Sequence, residues 1–220
     1  MPTIKTEIFA KTFTTAPQAV SAPIVSLCGE LNPDQTPAWV PVRPDPVAIV
    51  NECFNNVLAK VASDGGAIVN GWLIWEWPRV FIEAEHHAVW QQHDSLTDIT
   101  PHVNDELKVL FLPDPGRIYD YEGKQRIINV KRSLGVFASA DRWIAANDTL
   151  QRTMEAHSVG DEIRINRERL KELWNTARNA QGAVLVDLAS NTKVNDRCFC
   201  NSGKKYKKCC APLIDLSRHS

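Results

Sequence analysis

The sequence predicts an α+β fold: a small antiparallel sheet with packed helices, plus a C-terminal zinc-binding tail. Three observations predict it. Val47, Val50, Phe54, Val57 and Val61 recur at alternating three- and four-residue spacing, which is one apolar face of a helix. Between Ala67 and Leu112 lie runs rich in Val, Ile and Trp, broken by turn residues, which is the pattern of consecutive strands. Cys198, Cys200, Cys209 and Cys210 crowd together near the C-terminus, while Cys28 and Cys53 stand alone. A disulfide framework spreads its cysteines through a fold; a cluster reads as metal ligands in a reducing compartment.

The elements follow in chain order. Residues 1–46 hold eight of the 13 prolines, which predicts an extended or loop-like segment with an edge strand around Ala38 to Val42. The valine stripe predicts a helix from residue 47, closed by Gly65-Gly66. Strands are expected over Ala67 to Trp77, Val80 to Gln91, Leu96 to Thr100 and Leu107 to Leu112, separated at Pro78, His93-Asp94-Ser95 and Pro101. After Pro113-Asp114-Pro115-Gly116 the pattern turns helical. Trp143, Leu150 and Met154 mark one helix, closed near Gly160; Leu170, Leu173, Trp174 and Ala177 mark another, with Asn166 as its N-cap. Ala189 to Asn195 reads as a polar linker. The expected organisation is a proline-rich segment (1–46), an α+β body (47–188) with a candidate enzyme core at 47–112 and a helical part at 138–180, and a linker with its zinc module (189–220).

At 44% hydrophobic and 23% charged residues the chain can bury a sizeable core. Its net charge of -1 gives no overall field for nucleic acid, but the charge is uneven. Lys193 to Cys210 carries six basic residues and one acid, +5, which leaves -6 for the remainder. A basic tail on an acidic body points to an acidic protein surface or a phosphate as partner and argues against an extended nucleic-acid footprint. Residues 1–10 carry Lys5 and Glu7 with no apolar run behind them, and no segment approaches the roughly 20 apolar residues that span a bilayer. A cytoplasmic protein is expected.

In the tail, Cys198 to Cys210 reads C-x-C-x8-C-C. Zinc takes four thiolates in a tetrahedron; two come from a short turn, and eight residues with Gly203 near their middle let the chain fold back to supply two more. Four protein ligands leave no open position, so one structural Zn²⁺ is expected. Lys204, Lys205, Lys207 and Lys208 are available to offset the formal -2 of the centre. Residues 197–211 resemble the SEC-C motif, the zinc-binding element at the C-terminus of the SecA translocation motor, which reads C-P-C-G-S-G-K-K-Y-K-K-C-[CH]. Ser202, Gly203, the lysine run and Tyr206 match; Phe199 stands in place of the proline and Asn201 in place of the first glycine. The resemblance implies an interaction tail, since that motif contacts an acidic chaperone and the ribosome.

In the body, Cys53, His87 and Asp98 fall on the predicted helix, a strand and the next short strand. A nucleophilic thiol needs a base to take its proton, and the base needs a carboxylate to orient it. A helix N-terminus beside the sulfur favours the thiolate and offers N–H groups to an oxyanion. Whether Asp45 or Asn51 caps the helix decides how much of this Cys53 receives. The order, with His87-Ala88-Val89 and Asp98-Ile99-Thr100, resembles papain-like and transglutaminase-like enzymes, which implies Cys53 as nucleophile, His87 as general base and Asp98 as orienter. His86 competes for the base role. Trp72, Trp75 and Trp77 read as core, and Glu76, Glu83 and Glu85 as a solvated strand face. The leading expectation is a thiol hydrolase or acyl-transferase acting on an amide of a protein or peptide, with a partner held by the zinc tail. The alternative is a non-catalytic adaptor.

Overall fold

A computed structural model describes residues 2–123, 127–159 and 162–216. In chain order the regular elements are β1 (Thr3–Ile4), α1 (Ala22–Leu31), β2 (Ala38–Pro41), α2 (Cys53–Asp64), β3 (Ala67–Trp77), β4 (Phe81–Gln92), β5 (Ser95–Thr97), β6 (Lys108–Pro113), β7 (Val130–Ser133), α3 (Ala138–Ala156), β8 (Ser158–Val159), β9 (Glu162–Ile163), α4 (Arg167–Ser190) and β10 (Ile214–Asp215). The class is α+β, as its sequence pattern predicts. Contacts divide the chain into two units: residues 16–76 with 82–132, and residues 1–15 with 77–81 and 133–220.

The unit built from 16–76 and 82–132 carries the main sheet, ordered β2-β6-β3-β4-β5, with β7 also paired to β4. Its β2–β6, β3–β6 and β4–β5 pairs are antiparallel. Trp72, Leu73 and Ile74 are buried on β3 and Ala88 and Val89 on β4. Phe54 and Val57 of α2 pack with Ala88 and Ile99, and each such fully buried side chain contributes about 1.5–3 kcal/mol. The strand near residue 38 lies at the sheet edge, as expected. Asp98, placed in a strand by its sequence, follows β5 and is held by a single parallel bridge to Val42.

Three expectations in this unit are corrected. Residues 1–46 are not uniformly extended, because Ala22–Leu31 is helical. Its Pro23 sits in the first turn, where the missing N–H costs no hydrogen bond, and Ile24, Leu27 and Cys28 face inward. The α2 helix also starts at Cys53 and not at residue 47. Val47 is 82% exposed and Val50 42%, so the first two members of the stripe bury little. The Asn56 side chain bonds both the N–H (2.9 Å) and the C=O (2.7 Å) of Ile49, fixing that backbone in a turn. Glu83 and Glu85 are not on a solvated face either: Glu83 pairs with Lys131 at 2.9 Å, and Glu85 accepts from the Trp75 indole.

The other unit is helical, with α3 and α4 packed through Leu150, Leu173 and Ala177. Asn166 caps α4, accepting from the N–H groups of Glu168 (2.9 Å) and Arg169 (3.1 Å), as predicted. The stretch after residue 113 also contains the short strands β7, β8 and β9 that helical spacing did not announce. Gly160, expected to end α3, lies outside the described residues. β1 pairs with β10, which ties residues 3–4 to 214–215. Among the described residues no helix is long and apolar enough to cross a membrane.

Candidate functional site

Two cysteine sites emerge, one in each unit. The first is the C-terminal cluster. The sulfurs of Cys198, Cys200, Cys209 and Cys210 all lie within 4.8 Å of one another. Cys200 Sγ is 3.5 Å from Cys198 Sγ and 3.4 Å from Cys209 Sγ. A tetrahedral zinc with bonds of about 2.3 Å would set its sulfurs roughly 3.8 Å apart, so the donor set and its span fit a four-thiolate metal ion. Cys198, Cys200 and Cys210 are buried. Hydrogen bonding from Cys210 holds the Cys200 thiol down at about 4, while burial pushes Cys198 up to about 11.

The chain reaches this geometry through residues in unusual backbone states. Gly203 has φ +71° and Asn201 φ 56°, both left-handed. Asparagine tolerates that region better than most residues. Asn201 can therefore do the work of the glycine it replaces, and its side chain adds a bond to Phe13 O (3.0 Å). Phe199, in the proline's place, stacks against Phe13 with ring centroids 6.2 Å apart.

The expected independent tail on a polar linker is corrected here. α4 runs on to Ser190, and Cys198, Cys200, Tyr206 and Cys210 share one core with Ile8, Trp77, Leu185 and Leu188. The N-terminal segment clasps the module: Lys5 N–H donates to Leu213 O (2.9 Å), and Gly182 leaves room for Ile4, whose Cδ1 would lie 3.3 Å from an added Cβ. The cation at the sulfurs is Lys11, whose Nζ lies 3.8 Å from Cys209 Sγ. Lys204, Lys205, Lys207 and Lys208, expected to offset the cluster's charge, are exposed.

The second site gathers Cys53, His87 and Asp98. Cys53 is the first residue of α2, so neither Asp45 nor Asn51 is the cap; Glu52 precedes it and Asn51 turns the chain at φ 65°. Asp45 instead accepts from Val47 N–H (3.2 Å) and pairs with Lys60 (2.9 Å). Cys53 is 7% exposed, His87 4% and Asp98 0%. His87 Nε2 lies 3.1 Å from Asp98 Oδ2 without the alignment of a hydrogen bond, so the contact is that of an ion pair. Burial alone would lower the His87 pKa. The charges of Cys53 and Asp98 beside the ring overturn that and raise it well above the ordinary value. Burial pulls Asp98 the other way, and His87 with His102 holds its carboxyl below the usual carboxylate range.

Asp98 is anchored on every side. Its Oδ1 accepts from Thr100 N–H (3.0 Å), its N–H donates to Pro41 O (3.0 Å), and its C=O accepts from Arg43 N–H (2.8 Å). Asn56 of α2 donates to Thr100 Oγ1 (3.2 Å), linking the cysteine's helix to the aspartate's loop. His102 was missed in the sequence. Its Nε2 donates to Asp98 Oδ2 at 2.8 Å. The available signal was a histidine four residues beyond the candidate carboxylate. His86 turns elsewhere: its Nε2 donates to Arg117 O (2.7 Å), its ring packs on Phe54 and Trp72, and burial lowers its pKa. Tyr119 stacks on Phe54 at 4.2 Å and Tyr121 donates to Phe54 O (3.2 Å), so both cover the start of α2. Cys28 sits in the α1 core, where burial pushes its thiol up to about 11.

The SEC-C motif matches residues 195–212, which include the four clustered cysteines. No curated protein and no solved structure matches the chain.

Proposed function

We propose that this protein is a thiol hydrolase or acyl-transferase acting on amides of a protein or peptide, with one structural zinc ion held by Cys198, Cys200, Cys209 and Cys210. The observation that carries the catalytic reading is the first helical position of Cys53 beside an imidazole whose Nε2 is 3.1 Å from a fully buried carboxylate. With Nε2 facing Asp98, Nδ1 is the ring nitrogen left to take the thiol proton. The thiolate attacks the amide carbonyl carbon. The C–N bond breaks as His87 returns the proton to the leaving nitrogen, and the acyl group stays on sulfur as a thioester. Water then attacks the thioester for hydrolysis, or an amine for transfer; His87 takes the proton of the attacking group and passes it to the departing sulfur. The first N–H groups of α2 have no acceptor within the helix and supply donors for the oxyanion. The papain-like and transglutaminase-like resemblance rests on the local residues and this geometry; the comparisons add no relative of either kind.

Iodoacetamide labelling at pH 6–7, read by mass spectrometry, tests the reading. Cys53 should label at least about tenfold faster than Cys28, His87→Ala should abolish the preference, and His86→Ala should keep it. Equal labelling of Cys53 and Cys28 in the folded protein removes the catalytic reading.

A second reading, the non-catalytic adaptor, has its own observation. Lys193, Arg197, Lys204, Lys205, Lys207 and Lys208 are exposed, and none has an ion-pair partner among the described residues. That face suits an acidic protein surface or the ribosome. Binding should weaken as salt rises, because exposed charges are screened over about 8 Å at physiological ionic strength. Replacing the four lysines at 204, 205, 207 and 208 by alanine should weaken it further with the metal retained. Pull-downs insensitive to both changes rule out charge as the basis of recruitment.

A further inference from the structure

We infer that His102 is a positioning residue of the thiol site, dividing the hold of Asp98 between two imidazoles so that His87 stays free to exchange its proton with Cys53. The inference rests on the proposed thiol chemistry for its purpose, but its geometry stands by itself. One oxygen, Asp98 Oδ2, faces both rings. His102 Nε2 lies at 2.8 Å and makes the aligned hydrogen bond; His87 Nε2 lies at 3.1 Å and does not. The two rings are near neighbours, with centroids 6.0 Å apart. The other oxygen is committed to Thr100 N–H.

A buried carboxylate that loses a donor turns to the nearest one that is left, because an uncompensated charge in a low-dielectric interior is costly. Without His102, that donor is His87. An aligned Asp98–His87 pair would stabilise the imidazolium and make it a poorer acid toward the leaving nitrogen. His102 prevents the pair from closing. Its own place is set by Pro101 before it and by the Trp75 ring, edge-on at 5.3 Å. The other titratable groups acting on this corner are Cys53 from α2, His86 from β4 and Tyr121 from the segment that covers α2. None of them takes the Asp98 oxygen that His102 occupies.

The experiment is an NMR titration of the His87 ring in the full, metal-loaded chain, with His102→Phe and His102→Gln. Phenylalanine keeps a ring against Trp75 and removes the donor; glutamine keeps a donor. The His87 midpoint should rise by about half a unit or more in His102→Phe, and His102→Gln should return most of the way to the parent value. A midpoint unchanged or lowered in His102→Phe, or moved equally in both variants, overturns the inference. If thermal unfolding shows that His102→Phe does not fold, His102→Leu takes its place in the same comparison. Labelling of Cys53 in the parent separates the two ideas. A risen midpoint with no Cys53 preference leaves the positioning role standing and removes the thiol chemistry. A Cys53 preference with an unmoved midpoint does the reverse.

Discussion

The two cysteine sites are built in different ways. The C-terminal cluster takes its four sulfurs from residues 198–210, within one turn-rich segment, and then depends on distant chain for its surroundings: Ile8, Lys11 and Phe13 from the N-terminus and Leu185 and Leu188 from α4. The candidate thiol site takes its groups from a helix start, a mid-strand position and a loop, residues 53, 87, 98 and 102, and the bonds that hold them, such as Asn56 to Thr100 and Asp98 to Pro41, also join distant parts of the chain. The cysteine cluster is therefore local in its sulfurs and distant only in its surroundings, whereas the candidate thiol site is dispersed in both its groups and its support.

The largest expected effect tests the first half of that contrast. Stripping the metal with a chelator, or Cys209→Ser with Cys210→Ser, should do more than loosen residues 195–212. Structural zinc supplies roughly 10–16 kcal/mol to small folds that depend on it. Because the cysteines share a core with Ile8, Trp77 and Leu188, hydrogen-exchange protection should fall together over residues 3–13, the end of α4 and the module. Protection lost from 195–212 alone would return the module to the status of an independent tail.

What could be read from the sequence follows the same division. The cysteine spacing exposed the ligands because all four lie within one short segment. Their burial was hidden, because nothing in Ala189 to Asn195 announces that residues 3–13 pack against the module. The valine stripe located α2 but misplaced its start. Periodicity sees Val47 and Val50 as well as Val57, and it does not see an asparagine seven residues away bonding Ile49. Runs rich in Val, Ile and Trp between turn residues gave β3 and β4, whereas the four-residue β7 is too short to stand out and Pro23 masked α1. Cys53, His87 and Asp98 were picked out by order and local wording; the structure sets His87 Nε2 3.1 Å from Asp98 Oδ2 and Cys53 at the start of α2. His102 carried no such wording; its role comes from Asp98 lying on a loop that turns back within four residues.

An intermediate effect tests the second half. Asp98 is held below the ordinary carboxylate range, so its contribution to stability is complete above an unfolded pKa of about 3.9 and is lost as pH falls through the lower folded value. His87 is held above its ordinary value, so its contribution is complete below about 6.5 and is lost as pH rises through the higher folded value. The pair should stabilise most between those limits, near pH 4–6. Asp98→Ala should cost about 3–5 kcal/mol in that window, since it leaves a buried imidazolium without its charge partner. Urea unfolding across pH, followed by the fluorescence of Trp72 and Trp75 in the same unit, measures it. A cost that does not vary with pH would show that the Asp98 side chain acts through its packing and its bond to Thr100 N–H and not through its charge.

The smallest effect concerns Asn201, the position where the module departs from the family's glycine. Two terms compete. Its left-handed φ of 56° favours glycine, while its side chain donates to Phe13 O at 3.0 Å. Asn201→Gly keeps the backbone and loses the bond, which is worth about 1 kcal/mol. Asn201→Ala loses the bond and also places an alanine in the left-handed region, a further 1 kcal/mol or so. Stability should therefore fall in the order Asn, Gly, Ala, by less than about 1 kcal/mol at the first step, where glycine's backbone relief offsets part of the lost bond, and by about 1 kcal/mol at the second, with metal content unchanged in all three because the ligands are not touched. If Asn201→Gly is instead as stable as the parent, the bond to Phe13 is worth no more than the backbone relief that glycine brings, and the clasp between residues 1–15 and the module rests mainly on the apolar core and the β1–β10 pairing.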